Sequence, residues 1–369
     1  MRNRLSFFIL AVLMTFPGVV AEGEGYKASI TQGDVEIPVI VVSGSPFEMG
    51  KSLGELTADA SKALLQQFVA VCQTGEPEKY SDAQLDAAWE AVAPHTDPRF
   101  KEEMKGLAEG AGIPLELIQR AHMLPVVSEY SCSSIAAWGP ATKDGHLYQT
   151  RNLDWDMQVG AHKFPCIVIY RPSAGIAHVN VSFAGYIGSN TGLSTAGIAL
   201  AEMGDSPSSE YPYDVNGEHF TTLFRRVMYD AKNLDEAVAM FKSAKRIKRY
   251  HYVVGDGKNM CAVKMLAHAP NLRIWKDNDP TDELAPNIME HVVYQDEGRG
   301  AFPMIKERYD EITAEDMIKM ACSIPIKGGN VLDVVYDATS LELWVSYAKD
   351  ETEAYLRPFV HLDIKQYLK

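Results

Sequence analysis

Residues 131–155 read SCSSIAAWGPATKDGHLYQTRNLDW, and the predicted architecture of the whole chain is built outward from this segment. Ser131 to Trp138 consists of small and β-prone residues, Lys143-Asp-Gly145 is typical of a hairpin turn, and His146 to Asn152 has the composition of a returning strand. The segment therefore predicts an antiparallel β-hairpin that begins close to Ser131.

Helical patterns precede this hairpin, and strand patterns follow it. Apolar residues recur at helical spacing from Ser45 to His122, and Ser45 with Pro46 and Glu48 forms a capping box with proline at the first helical position. Two further helix starts are indicated by Ser81 with Gln84 and by Asn233 with Glu236. Strands are predicted at 166–171, 178–183, 198–201, 250–255, 261–265, 291–294, 331–336 and 341–347, and helices at 217–231, 234–243 and 303–320. This order of elements predicts an α+β fold in which sheet packs on sheet and helices cover the outside.

The composition is that of an acidic globular protein. The chain has 369 residues, 46% of them hydrophobic and 23% charged, and its 35 basic and 49 acidic residues give a net charge of −14. Nucleic acid and anionic membrane surfaces are therefore disfavoured as partners, because both require a surplus of positive charge.

The N-terminus predicts export. Two arginines precede an apolar run at 5–16, and the small residues Val19 and Ala21 suit signal peptidase. The run is shorter than the roughly 20 residues that a bilayer requires. We therefore expect residues 1–21 to be a signal peptide, the mature chain to begin at Glu22, and the protein to be secreted or periplasmic with no membrane span after signal removal.

The cysteine pattern leaves the pairing of thiols open. An oxidising compartment favours disulfides, but five cysteines leave at least one thiol free. The others are compatible with up to two disulfides and equally with free thiols: Cys72, Cys166, Cys261 and Cys322. The sequence contains no CxxC, HExxH or Cys/His array, so no metal site is expected.

The predicted hairpin carries three residues that could perform chemistry. Cys132 stands at the start of the first strand, and Arg151 and Asp154 lie on its partner. A guanidinium near a thiol favours the thiolate and lowers the thiol pKa from its usual value of about 8.5. The same residues are also compatible with a structural role, in which Cys132 is a small buried residue and Arg151 and Asp154 form an i, i+3 surface pair.

The run from Cys132 to Trp155 resembles the nucleophile region of the acyl-coenzyme A:6-aminopenicillanic acid acyltransferase family. These proteins are cysteine-type N-terminal nucleophile hydrolases, related to bile salt hydrolases, penicillin V acylases and acid ceramidases. The resemblance covers most of the chain. Residues 44–50 resemble the opening helix of the family, 252–258 its central strand and turn, and 332–347 its closing hairpin.

The resemblance implies a four-layer αββα fold and a precursor that cleaves itself between Ser131 and Cys132. A helical fragment, 22–131, and a catalytic fragment, 132–369, would remain associated. The cut would create the catalytic base, because a free α-amino group has a pKa of about 7.7 to 8 whereas an internal amide cannot accept a proton near that pH.

The resemblance also implies the roles of the site residues. Cys132 would be the nucleophile and carry the base, forming an acyl-enzyme with a small-molecule N-acyl substrate. Arg151 would orient the substrate and favour the thiolate, and Asp154 would hold the α-ammonium by a charge-assisted hydrogen bond. No metal or organic cofactor is required. Two alternatives stay open: a thiol hydrolase of acyl esters or small peptides, and a secreted binding protein that keeps the fold with little catalysis.

The donors of the oxyanion hole are the least defined part of this prediction. The family has an asparagine just before a Gly-Leu-type strand, where this chain has Ser194, and Asn190 lies four residues earlier. Both are candidate oxyanion donors, although Asn190 also fits a turn within 188–192. A Thr-Asn-His-like segment of the family is replaced here by Gln295-Asp-Glu-Gly298.

Overall fold

The structure is a computed structural model that describes residues 23–128, 130–204, 215–267, 271–285 and 287–368. The predicted signal peptide at 1–21 lies outside the described residues. Within them, no helix is both long enough and apolar enough to cross a membrane.

Four helices precede the hairpin and four follow it in the described part of the chain. They are α1 (Pro46–Gly75), α2 (Asp82–Val92), α3 (Pro98–Ala111), α4 (Leu115–Val127), α5 (Phe220–Asp230), α6 (Leu234–Ser243), α7 (Ala301–Arg308) and α8 (Ala314–Ala321). The predicted starts of α1, α2 and α6 are confirmed, because the side chains of Ser45, Ser81 and Asn233 accept hydrogen bonds from the first turns of these helices.

The strands of the described residues fall into two sheets. They are β1 (Gly25–Gln32), β2 (Val35–Gly44), β3 (Ser131–Gly139), β4 (Gly145–Asp154), β5 (Pro165–Pro172), β6 (His178–Phe183), β7 (Thr191–Ser194), β8 (Ile198–Met203), β9 (Tyr250–Asp256), β10 (Cys261–Ala267), β11 (Leu272–Trp275), β12 (Val292–Gln295), β13 (Asn330–Asp337), β14 (Glu342–Tyr347) and β15 (Val360–Asp363). The nine-stranded sheet has the order β1-β2-β5-β6-β7-β8-β9-β10-β11, and the six-stranded sheet has the order β12-β3-β4-β13-β14-β15.

The two sheets pack face to face, and helices cover both outer faces. Hydrogen bonds cross between the sheets, for example from Gln149 of β4 to the carbonyl of Val253 in β9 at 3.1 Å. Helices α7 and α8 bury apolar side chains such as Ile305 and Met317 against the outer face of the six-stranded sheet, and α1, α5 and α6 pack on the nine-stranded sheet. The predicted α+β class and four-layer αββα arrangement are therefore confirmed.

Two helices and five strands differ from the prediction. The helix predicted at 217–231 begins only at Phe220, because the His219 side chain caps it. The helix predicted at 303–320 is two helices, since Asp310 has a left-handed φ of 71° and Thr313 caps α8. The strands β1, β2, β7, β11 and β15 were not predicted. β2 contains a continuous buried run and pairs in parallel with β5, so it shows no alternating pattern.

Candidate active site

Cys132 and Arg151 lie on the same face of the six-stranded sheet. Cys132 is paired with Leu153 in the antiparallel register, and alternate residues of a strand point to the same side. The guanidinium of Arg151 reaches toward the nine-stranded sheet, where its Nε donates a hydrogen bond to the carbonyl oxygen of Asn190 at 3.3 Å. Both side chains are therefore enclosed between the two sheets.

The environment of the Cys132 thiol differs from the expectation for a reactive cysteine. The side chain is fully buried, and burial raises the pKa of its thiol to about 11. The charge of Arg151 lowers this pKa as predicted, but the loss of hydration outweighs it and the nearby carboxylates of Glu202 and Asp154 raise the pKa further. The effect of Arg151 thus has the predicted direction, but the net pKa of the Cys132 thiol lies above its ordinary value.

Asp154 lies beside the peptide bond that precedes Cys132. It is the last residue of β4 and is paired with Ser131. Its Oδ1 accepts a hydrogen bond from Asn330 Nδ2 at 3.0 Å, whereas its buried Oδ2 has no hydrogen-bond partner in the described part of the chain. An ammonium formed at Cys132 could use that oxygen.

Burial bears out one part of the structural alternative, in which Cys132 is a small buried residue, and contradicts the other part. Asp154 is 4% exposed and Arg151 is 0% exposed, so the two do not form a surface pair. Burial raises the pKa of the Asp154 carboxyl to about 6, although hydrogen bonds from the backbone of Ile326 and the side chain of Asn330 lower it.

Arg299 is a site residue that the sequence analysis did not identify. Its Nη2 donates to the carbonyl oxygen of Cys132 at 2.7 Å and lies 4.0 Å from Asp154 Oδ2. The hydroxyl of Ser131 in turn donates to Glu297 Oε2 at 2.9 Å. Side chains from the segment after β12 therefore contact the residues on both sides of the Ser131–Cys132 peptide bond.

Glu202 is a second residue that the sequence analysis missed. It is fully buried in β8, and its Oε2 lies 3.8 Å from Arg151 Nη2. Its Oε1 accepts a hydrogen bond from the Tyr130 hydroxyl at 2.9 Å. Burial raises the pKa of Glu202 to about 7, and Arg151 opposes this increase. Glu202 thus connects Arg151 to Tyr130, which lies two residues before Cys132.

The sequence contains a signal for Glu202 but none for Arg299. β8 reads IALAEM, so Glu202 is the one charged residue of an apolar strand, and a buried charge requires a partner. Arg299 lies in the loop between β12 and α7, and β12 reaches Cys132 only because it pairs with β3. That pairing joins residues far apart in the sequence.

The two candidate oxyanion donors lie in different surroundings. The carbonyl of Asn190 contacts Arg151, and the Asn190 side chain accepts a hydrogen bond from Thr191 at 2.9 Å, so Asn190 is brought to the site. Ser194 is buried at the other end of β7, opposite His178, and its hydroxyl has no hydrogen-bond partner within the described ranges.

A cleft of about 830 Å³ opens beside Asp154. Its volume lies within the range of about 300 to 1,000 Å³ that is typical of small-molecule sites. Val71 of α1, Tyr130 and Trp155 form part of its wall, together with the loop 326–329. Residues from both sides of the predicted cleavage site therefore line one cleft.

Within the described residues, the cysteines form no disulfide and the acidic groups form no metal site. All five cysteines are free, so the structure contains none of the disulfides that the sequence left open. Among the described residues, no group of three His, Cys, Asp or Glu side chains is arranged to hold a metal ion.

The raised pKa of Glu202 predicts that the stability of the protein falls as the pH rises. Its pKa is raised on folding from 4.5 to about 7, so the stability it contributes is fully present below pH 4.5 and is lost as the pH rises through 7. We expect Glu202→Gln to remove this loss, which amounts to at most about 3 kcal/mol. Melting temperatures measured from pH 4 to 8 check this. The exposed Glu315→Gln is the control, and curves that stay parallel for wild type and Glu202→Gln would contradict the prediction.

Fold and site together define a four-layer α+β protein in which a buried cysteine opens a strand directly after a helical segment. No family model matches the chain. It is 25% identical to protein dcd1B of Dictyostelium discoideum over 90% of this chain and 72% of that protein. It is 23% identical to protein dcd1A of the same organism, over 94% and 88%, respectively.

The chain is also similar to several solved structures. One is an ortholog of N-acylethanolamine-hydrolyzing acid amidase from Caenorhabditis elegans, with a TM-score of 0.45, 16% identity and coverage of 63% of this chain and 100% of that chain. Another is penicillin V acylase from Agrobacterium tumefaciens, with a TM-score of 0.44, 14% identity and coverage of 64% and 87%.

Proposed function

We propose that this chain is an exported, self-processing amidohydrolase or acyltransferase that cleaves the amide bond of an N-acyl compound through a cysteine acyl-enzyme. The observation that carries the proposal is the arrangement at the Ser131–Cys132 peptide bond. The thiol shares its face with Arg151, Asp154 is paired with Ser131, and Asp154 Oδ2 accepts no hydrogen bond from the described residues. A substrate-sized cleft adjoins that carboxylate.

Self-cleavage requires the groups that lie at this bond and one water molecule. The Cys132 sulfur attacks the carbonyl carbon of Ser131, and the carbon–nitrogen bond breaks as the sulfur–carbon bond forms. The nitrogen leaves with the thiol proton as the α-amine of Cys132. Water then hydrolyses the thioester, which gives a carboxylate at Ser131 and restores the thiol. Arg299 supports this step by holding the Cys132 carbonyl at 2.7 Å.

The product of that cut has the groups that amide hydrolysis needs. The new α-amine accepts the thiol proton and returns it to the leaving amine, since its pKa of about 7.7 to 8 is close to neutral pH. The sulfur forms an acyl-enzyme with the substrate carbonyl, and Asp154 holds the α-ammonium. Water is the better acceptor of the acyl group in an exported protein, because the acyl thioesters that feed acyl transfer are made in the cytosol.

Intact mass and N-terminal sequencing of the purified protein test the first step. A fragment that begins at Cys132 is expected, together with turnover of at least one compound in a panel of N-acyl amides. Mass spectrometry after rapid acid quenching should detect an acyl group on that fragment. A single uncut chain that begins near Glu22 would overturn the proposal and favour the binding-protein alternative.

The role of Asp154 has its own test. We expect Asp154→Asn to keep the fold and to lower kcat/KM by about 100-fold, because the neutral amide no longer stabilises the α-ammonium. The control is Asp156→Asn, since Asp156 lines the same cleft and is exposed. Equal kcat/KM values for the two variants would remove Asp154 from the mechanism.

A further inference from the structure

The carboxylate of Glu353 binds a backbone loop next to the proposed active site. Its Oε1 accepts hydrogen bonds from the N–H groups of Gly328, Gly329 and Asn330 at 2.7, 3.1 and 3.1 Å. Successive N–H groups that converge on one oxygen form an anion-binding nest. Gly328 adopts a φ of 94°, which favours glycine. The conformation of the loop is thus shaped around this one carboxylate.

The same loop makes two hydrogen bonds to the Asp154 carboxyl and one to the backbone of the next residue. Asn330 Nδ2 donates to Asp154 Oδ1 at 3.0 Å, and the backbone of Ile326 donates to the same carboxyl. The carbonyl oxygen of Gly329 accepts from the N–H of Trp155, the next residue along the chain, at 2.7 Å. Displacement of the loop would therefore displace the Asp154 carboxyl.

The turn that carries Glu353 also orients the Asn330 amide. The N–H of Tyr355 donates to Asn330 Oδ1 at 2.9 Å, so the Nδ2 of Asn330 must point toward Asp154 and toward Asp333 Oδ1, at 2.7 Å. A reversed amide would place an oxygen against two carboxylates. One segment, 353–355, therefore sets both the backbone of the loop and the direction of its side-chain donor.

We propose that Glu353 is a positioning residue, which acts through the loop 326–330 to hold the Asp154 carboxyl where it receives the α-ammonium of Cys132. This inference rests on the proposed function for its catalytic consequence. Glu353 itself does not line the cleft in the described residues, so it acts on the reaction through Asp154.

Four ionisable groups face Asp154 and influence its titration. They are Arg299 after β12, Arg151 on β4, Asp333 on β13 and Cys132 on β3. None of them is bonded to Glu353, so replacing Glu353 changes the placement of Asp154 without removing any of these charges.

The test compares Glu353→Ala and the conservative Glu353→Gln with Glu351→Gln, a matched exposed carboxylate two residues away. Misplacing Asp154 weakens its hold on the α-ammonium, so the acidic limb of the kcat/KM profile should move to lower pH by about 0.5 to 1 unit. The maximal kcat/KM should fall about 10-fold. Glu353→Gln keeps an acceptor oxygen and should lie between alanine and wild type.

A second measurement makes the inference independent of turnover. The carboxyl carbon of Asp154, labelled with ¹³C and assigned with Asp154→Asn, reports the titration of that group directly. Its midpoint should rise in Glu353→Ala, because the carboxylate loses hydrogen-bond donors. If Glu353→Ala does not fold, Glu353→Gln gives the same two readouts.

The outcomes separate the two proposals. In one outcome, the wild-type protein is active, and the Glu353 variants change neither the acidic limb of the kcat/KM profile nor the titration of Asp154. This outcome overturns the positioning role of Glu353 and leaves the proposed function intact. Wild type without turnover overturns the proposed function. In that case the Asp154 titration decides on Glu353: a raised midpoint supports its control of Asp154, and an unchanged midpoint overturns it.

Discussion

Cys132→Ala is expected to yield one uncut chain with no measurable turnover. Alanine has no nucleophile, so neither the bond to Ser131 nor a substrate amide can be attacked, and no α-amine is released. Loss of a covalent nucleophile commonly lowers the rate by more than about 1,000-fold. The fold should persist, because the change removes a single sulfur atom from a buried site.

The measurement is intact mass together with hydrolysis of N-acyl amides by the purified protein. Cys72→Ala is the matched control, since Cys72 also carries a free thiol and lines the cleft beside Asp154. It should be processed and active. Processing of Cys132→Ala at the wild-type level would sink the assignment of the nucleophile, whatever the substrate.

Glu103→Ala is expected to cause the largest loss of stability. Glu103 on α3 receives both ends of the Arg225 guanidinium, Nη1 at 3.0 Å and Nη2 at 2.7 Å, and both side chains are 1% exposed. Arg225 also lies over the ring of Tyr170 at 3.9 Å. Removing the carboxylate leaves a buried guanidinium without its counter-charge, which lowers the free energy of unfolding by about 3 to 5 kcal/mol.

This ion pair joins the two sides of the predicted cleavage site. Glu103 belongs to the segment 22–131 and Arg225 to the segment 132–369, so the pair would help to keep the fragments associated after the cut. We therefore expect the fragments of processed Glu103→Ala to separate at a lower denaturant concentration than those of wild type, as measured by size-exclusion chromatography.

The stability loss is best measured in the uncut Cys132→Ala background, where unfolding involves one chain. Glu102→Ala is the control on the same helix, because Glu102 pairs with Lys105 at the surface, where both side chains are about half exposed. An exposed pair of this kind contributes at most about 1 kcal/mol. Equal denaturation midpoints for the two glutamate variants would show that the buried pair is not needed.

The elements whose signals are local could be predicted from the sequence. The caps at Ser45, Ser81 and Asn233 and the hairpin of β3 and β4 depend on residues within a few positions of one another, and all are present in the structure. Their chemistry needs no knowledge of distant residues. The order of helices and strands was then enough to predict the layers of the fold.

Of the site, the sequence predicted chiefly the residues that lie on the hairpin of β3 and β4. Cys132, Arg151 and Asp154 are brought together by the register of β3 and β4, which shifts between Ala137 and Gly139. The sequence left open whether Cys132 is buried, and the structure shows that its side chain is fully buried. Its pKa therefore differs from the prediction, since the loss of hydration depends on the second sheet packed above it.

Only the tertiary structure brings the remaining groups to this hairpin. Glu202 comes from the facing sheet, Arg299 from the loop after a strand that pairs with β3, and Glu353 acts through a loop that it binds from 23 to 25 residues away. Each of these contacts joins segments far apart in the chain. Their positions depend on sheet pairing and packing, which no local pattern of residues specifies, whereas Cys132, Arg151 and Asp154 belong to a single hairpin.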